Sequence, residues 1–212
     1  MKKTIIFDFD GVIADSAPFY CGRYKDMAEK FNKHFPVKNM EDFKNWYDSA
    51  WENNYTNLGF TEEELRQAMQ GVRKPADYSE IPIFKGAHEI LKKLAEKYTL
   101  TIASCTTSDK IKAKLEQENL QGLFTFISGG ENHGSYKQEI IAIVVRELNL
   151  QPENTIMVGD TEMDHICGIK NNLKTIITSY GWHSKQRLEK IGCQNIIDDI
   201  TELPAMIEKT FN

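Results

Sequence analysis

The chain has 212 residues, 41% of them hydrophobic and 27% charged, enough for one domain or two small ones with a packed core. Its net charge of −5 argues against nucleic acid or an anionic membrane as main partner, because both need a basic face; a local basic funnel for a small anion stays open. Four cysteines without C-x-x-C spacing read as reduced thiols, and the apolar stretch after Met1-Lys2-Lys3 is too short for a secretion signal or a membrane span, so a cytoplasmic protein is expected.

The first predicted strand covers residues 4–9 and runs into Asp8-Phe9-Asp10-Gly11. Residues i and i+2 of a strand share a face, so Asp8 and Asp10 are expected to project together, with Gly11 permitting a tight turn. Two carboxylates that close call for a cation or a shared proton. The same pattern also serves ordinary turns, so the rest of the chain has to decide.

Residues 16–83 hold no convincing strand but several helix signals. Ser16 is expected to cap a helix that has Pro18 just inside its start. Thr61 and Glu64 form a capping-box pattern ahead of Leu65, Ala68 and Met69. Aromatic residues such as Phe19, Tyr24, Phe43 and Trp46 read as the core of a helical bundle. The expectation is a helical insertion that returns to the main domain near Pro82 to Gly86.

Apolar runs and helical patterns then alternate. Strands are predicted at 98–103, 124–127, 155–158, 175–178 and 195–197. Helices are predicted at 110–118, 138–148, 163–170, 184–191 and 202–209. This alternation predicts an α/β fold, a doubly wound parallel sheet with a Rossmann-like core and helices on both faces. The expected domains are an α/β core at 1–15 and 84–212 and an α-helical cap at 16–83.

Ligands of open parallel sheets gather at the carboxyl ends of the strands. The second strand delivers Ser104 there, with Cys105, Thr106 and Thr107 behind it; its hydroxyl can bind an anion, although helix capping is an alternative for the later residues. Lys137 opens a helix, against the macrodipole, which makes sense beside an anion. The fourth strand delivers Gly159-Asp160, with Asp164 one helical turn on; a helix N-cap is the alternative for Asp160. Carboxylates without a His or Cys cluster select Mg²⁺ over zinc.

These four signals, Asp8/Asp10, Ser104, Lys137 and Asp160/Asp164, resemble the haloacid dehalogenase-like hydrolase superfamily over nearly the whole chain. The stretch from Gly181-Trp182-His183-Ser184 through Leu188 to Gly192-Cys193 is similar to phosphoglycolate-phosphatase-like members with a small α-helical cap. Gln138 follows Lys137 where the family usually has proline. The resemblance implies Asp8 as nucleophile and Asp10 as general acid and base. It implies Mg²⁺ held by the Asp8 carboxylate, the Asp10 backbone carbonyl and Asp160, with Asp164 acting through those ligands or water. Gly11, Ser104, Cys105 and Lys137 are the expected substrate-binding positions.

Asp10 favours phosphoryl transfer over halide displacement, which needs no leaving-group acid. The expected activity is a Mg²⁺-dependent phosphatase acting on a small phosphomonoester, phosphoglycolate-like, a sugar phosphate or a nucleotide, through an aspartyl-phosphate. Two alternatives are a phosphomutase of the β-phosphoglucomutase type and a non-catalytic metabolite-binding protein. Arg23, Arg66, Arg73 and Lys74 could meet a second anionic group of the substrate. The expected partner is a small phosphate ester, with neither nucleic acid nor membrane, in a monomer or homodimer.

Overall fold

A computed structural model describes residues 2–71, 77–131 and 136–212. Six strands form one parallel sheet: β1 (Thr4–Phe7), β2 (Thr99–Ala103), β3 (Phe124–Ser128), β4 (Thr155–Gly159), β5 (Lys174–Thr178) and β6 (Ile196–Ile197). Their order is β3-β2-β1-β4-β5-β6. The chain winds outward on one side of β1, then restarts on the other side with β4. A crevice therefore opens at the carboxyl ends of β1 and β4, where connections depart in opposite directions.

Burial on both faces explains why β1 is an unbroken apolar run. Ile5 and Phe7 face a core cluster with Leu91, Leu94, Ile111, Leu115, Leu203 and Ile207. Those residues come from α5 (Ala87–Lys97), α6 (Ser108–Gln117) and α10 (Leu203–Phe211). Ile6 faces the other side, against Ile140, Ile141 and Val144 of α7 (Lys137–Glu147) and Cys167 of α8 (Glu162–Lys170). Each such side chain, fully buried, contributes about 1.5–3 kcal/mol. A short helix, α9 (Lys185–Lys190), precedes β6.

The expected extent of β1 needs correction, and one helix is added. β1 ends at Phe7 rather than residue 9, because the chain turns there: Gly11 N–H bonds the Ala14 carbonyl and Ala14 N–H bonds the Phe9 carbonyl. Helix α5 has no counterpart among the predicted elements. Its signal is nonetheless present, since Ala87, Leu91 and Leu94 are buried at i, i+4 and i+7.

Among the described residues, four helices lie between β1 and α5: α1 (Ala17–Lys30), α2 (Met40–Trp46), α3 (Trp51–Asn57) and α4 (Glu62–Gly71). Their aromatic residues pack around Tyr24 and Phe43, and Trp182, from the loop after β5, joins that cluster. Thr61 and Glu64 form the reciprocal capping pair of α4. Ser16 precedes α1, but its side chain does not cap; its Oγ accepts from Trp182 Nε1 at 3.2 Å. The two links to these helices run side by side, with Asp15 N–H on the Pro82 carbonyl and Phe84 N–H on the Ile13 carbonyl. Among the described residues no helix is long and apolar enough to cross a membrane.

Candidate active site

Asp8 leaves β1 with its N–H still on the Val158 carbonyl of β4. Its Oδ2 lies 2.6 Å from Lys137 Nζ, and its Oδ1 accepts the Phe9 N–H at 2.7 Å. The same ammonium is 2.9 Å from Asp164 Oδ1. Lys137, 5% exposed at the start of α7, thus bridges two carboxylates inside the protein. Its pKa is pushed down by burial, but Asp164 and Asp8 outweigh that and hold it well above the ordinary lysine value.

Asp160 emerges from β4 and is not a helix cap. Thr161 caps α8 instead, in a reciprocal capping box with Asp164. Asp164 Oδ2 accepts from Thr161 N and Oγ1, which leaves Oδ1 turned to Lys137. Asp160 Oδ2 accepts the Trp182 N–H at 2.6 Å, while its Oδ1 is buried with no partner among the described residues. Gly11, at φ +75°, lies against this carboxylate, and a Cβ there would collide with Asp160 and the Trp182 ring. A Cβ at Gly181 would meet the same carboxylate.

Asp8, Asp160 and Asp164 each offer an oxygen, all within 4.8 Å of one another. Burial raises the Asp8 pKa to about 6, with Lys137 opposing and the neighbouring aspartates adding. Burial, then Asp164 and Asp8, pushes Asp160 well above the usual carboxylate range. Asp164 goes the other way: burial pushes upward, but the Lys137 charge and the bonds from Lys137 and Thr161 take it below its ordinary value. When all are ionised, three carboxylates share one ammonium, so two negative charges lack compensation. That deficit, the orphaned Asp160 oxygen and the all-oxygen donor set fit a divalent cation.

Asp10 does not join this cluster. Beyond the end of β1 the alternation of a strand no longer applies, and its carboxylate meets Tyr78 OH at 3.0 and 2.9 Å and Thr106 Oγ1 at 2.6 Å. Its charge still raises the Asp8 pKa. Ser104 is 1% exposed at the tip of β2, and its Oγ accepts the Thr106 N–H at 3.3 Å. Cys105, next in the chain, is exposed, although crowding around its thiol pushes its pKa up to about 11, with Lys137 opposing and Asp8, Asp164 and Asp10 adding.

The arginines expected to meet a second anion are otherwise engaged or undescribed. Arg66 pairs with Glu63 at 2.8 Å on an exposed face of α4. Arg23 is half-buried, 5.8 Å from the centre of the Phe19 ring. Arg73 and Lys74 lie outside the described residues.

Tyr78, Trp182 and Gly181 carry no site role in the sequence reading, and Thr106 enters it only as a capping alternative. Gly181 and Trp182 had a signal, in the Gly181-Trp182-His183-Ser184 stretch. Its loop is held from the helical side: Lys44 Nζ donates to the Ser179 and Tyr180 carbonyls at 2.9 and 3.1 Å, and Ser184 Oγ lies 2.5 Å from Asn45 Oδ1. Arg187, paired with Glu162 at 2.6 Å, donates to the Tyr47 carbonyl. The Trp182 ring packs on Tyr47, Tyr20 and Phe43 at 4.5, 5.2 and 5.9 Å between centres. Trp182→Ala is expected to cost about 3 kcal/mol or more in urea unfolding, as loss of a buried aromatic does. A cost below about 1 kcal/mol would mean that the ring does not hold the loop.

Residues 5–178 match the model of the haloacid dehalogenase-like hydrolase family. The chain is 21% identical to the pyrophosphatase PpaX of Oceanobacillus iheyensis, over 99% of this chain and 98% of that one. It is 25% identical to a phosphoglycolate phosphatase of Synechococcus elongatus over 88% of each. Among solved structures, a haloacid dehalogenase-like family hydrolase of Streptococcus pneumoniae superposes with a TM-score of 0.83 at 17% identity, covering 97% of this chain and 98% of that one, which establishes a shared fold. A family match over most of the chain, on a parallel sheet whose first and fourth strand tips carry the buried aspartates, leads to one conclusion: the chain belongs to the haloacid dehalogenase-like hydrolase family.

Proposed function

We propose that the protein is a Mg²⁺-dependent phosphatase that cleaves small phosphomonoesters through an aspartyl-phosphate on Asp8. The observation that carries this reading is the Lys137 ammonium bridging Asp8 and Asp164 in a buried cluster that still lacks two positive charges. The activities after which the relatives are named, a pyrophosphatase and a phosphoglycolate phosphatase, agree with phosphate as the group acted upon.

An Asp8 carboxylate oxygen attacks phosphorus, and the ester oxygen leaves with a proton from Asp10. Asp10 then takes a proton from water as that water attacks the phosphoaspartate, which releases inorganic phosphate and restores Asp8. Lys137 keeps Asp8 ionised and, with Ser104, meets the phosphoryl oxygens. The Asp8 carboxylate, the Asp10 backbone carbonyl and Asp160 would hold the Mg²⁺, with Asp164 keeping Lys137 in register. The ion supplies charge neutralisation and orientation of the phosphoryl group. Gly11 leaves the room that Asp160 occupies. Residues 16–83 act as the cap that sets specificity, and 1–15 with 84–212 as the catalytic core, a division supported by the paired links at Asp15–Pro82 and Ile13–Phe84.

The purified protein is expected to hydrolyse 4-nitrophenyl phosphate with Mg²⁺ and to lose that activity with EDTA. Stability supplies a second readout. Raised carboxylate pKa values mean that the contributions of Asp8 and Asp160 are fullest below the unfolded carboxylate value and are lost as pH rises through their folded values, about 6 for Asp8. Mg²⁺ binds the ionised form, so its gain in Tm should be larger at pH 7.5 than at pH 5. EDTA-insensitive turnover, or a Tm gain that shrinks with rising pH, overturns the metal assignment.

A further inference from the structure

Asp10 is held by two hydroxyls from distant parts of the chain. Tyr78 belongs to the segment that leads from α4 back to the sheet, and Thr106 to the link between β2 and α6. Tyr78 OH reaches both Asp10 oxygens, at 3.0 and 2.9 Å, and Thr106 Oγ1 lies 2.6 Å from Oδ2. The two hydroxyls are 2.8 Å apart, and Tyr20 OH stands 3.4 Å from Tyr78 OH. The Tyr78 ring is 5% exposed and packs on Phe9 at 5.9 Å between centres, so its oxygen has a fixed place.

We propose that Tyr78, together with Thr106, is a positioning residue that aims the Asp10 carboxyl at the leaving-group oxygen. The proposal rests on the reading of Asp10 as the proton donor to that oxygen. A general acid works only within hydrogen-bond reach of the atom it protonates, and a misplacement of about 1 Å can cost on the order of a hundredfold. Asp10 sits beyond the strand, in an isolated backbone bridge to Ala14 that leaves its side chain unconstrained. Two hydroxyls on one carboxyl supply the missing constraint. Each hydroxyl can donate or accept, so one cradle holds Asp10 both before it gives its proton and after. Before transfer, the proton sits on Oδ1, free for the leaving group, while both hydroxyls donate to Oδ2. After transfer, both hydroxyls donate to the carboxylate. No other group need move between the two half-reactions.

The test uses Tyr78→Phe, which keeps the ring against Phe9 and removes only the oxygen, and Thr106→Val, which keeps the volume. Phenol release is followed over a single turnover, enzyme in excess, with two probes, phenyl phosphate and 4-nitrophenyl phosphate. Phenolate is a basic leaving group that needs the acid, whereas 4-nitrophenolate departs readily without it. Each variant is expected to lose at least about tenfold more rate on phenyl phosphate than on 4-nitrophenyl phosphate, with KM little changed. An equal loss on both probes, or a loss confined to KM, overturns the proposal, since either marks a structural role. Asp10→Ala separates this from the underlying reading. If Asp10→Ala lacks the leaving-group-selective loss, the acid role of Asp10 falls. If Asp10→Ala has it while Tyr78→Phe and Thr106→Val match the parent enzyme, only the positioning role falls.

Discussion

On the proposed mechanism, Asp8→Asn is expected to lower kcat by at least about 10⁴-fold, because a nucleophile that forms a covalent intermediate has no substitute. The amide keeps the size of the carboxylate and can still accept the Phe9 N–H that now bonds Oδ1. The loss should therefore come without unfolding. Metal-free stability at pH 7.5 should not fall, because burial already disfavours the Asp8 charge and raises its pKa to about 6. Lys137 keeps a partner in Asp164, 2.9 Å away. The Tm gain from Mg²⁺ should shrink, since one ligand charge has gone. Turnover close to that of the parent enzyme would reassign the nucleophile.

Lys137→Met should damage both folding and chemistry. The ammonium is buried between Asp8 and Asp164, 2.6 and 2.9 Å away, and its removal leaves two buried carboxylates facing each other. Removing one partner of a buried ion pair costs about 3–5 kcal/mol. In a chain of this size that lowers Tm by roughly 10 °C. The sign of the pH dependence follows from the charges. With the lysine gone both carboxyl pKa values rise, so the defect is largest near neutral pH and eases as pH falls and the acids take up protons. Asp164→Asn combined with Lys137→Met should recover part of the stability, because one of the stranded charges is removed. A Lys137→Met protein as stable as the parent at pH 7.5 would refute the bridging account. On the proposed mechanism, phosphatase activity should be lost in every version, because Lys137 is the side-chain cation assigned to the phosphoryl oxygens.

The residues themselves disclose some elements far better than others, for reasons that lie in their surroundings. β1 and β4 are buried on both faces, so their apolar runs announce them. Helix α7 shows itself through Ile140, Ile141 and Val144, which pack on a single side of the sheet. Helix α5 carries an equally regular apolar stripe, yet it follows a proline-containing link and lacks a side-chain cap, its N-cap being Gly86. The overextension of β1 to residue 9 has the same kind of cause. Phe9 is fully buried and reads as a strand residue, but it packs in the turn after the strand. Ser16 has the chemistry of a cap, and a tryptophan indole 166 residues away takes its hydroxyl instead.

The amino-acid order by itself determined which groups stand at the strand tips: aspartates after the first and fourth strands, a serine after the second, a lysine opening the helix after the third. Those placements are local, because a buried parallel strand and the turn behind it are written in adjacent residues. Tertiary structure alone decided that Lys137 joins Asp8 to Asp164, that Asp10 turns to Tyr78 and Thr106, and that the Trp182 backbone holds Asp160. Side-chain partners such as Tyr78 and Thr106 come to Asp10 from 68 and 96 positions away in the chain. A hydroxyl carries no mark of its future acceptor, so such pairs exist only once the sheet order and the return of the helical segment have brought them within 3 Å of each other.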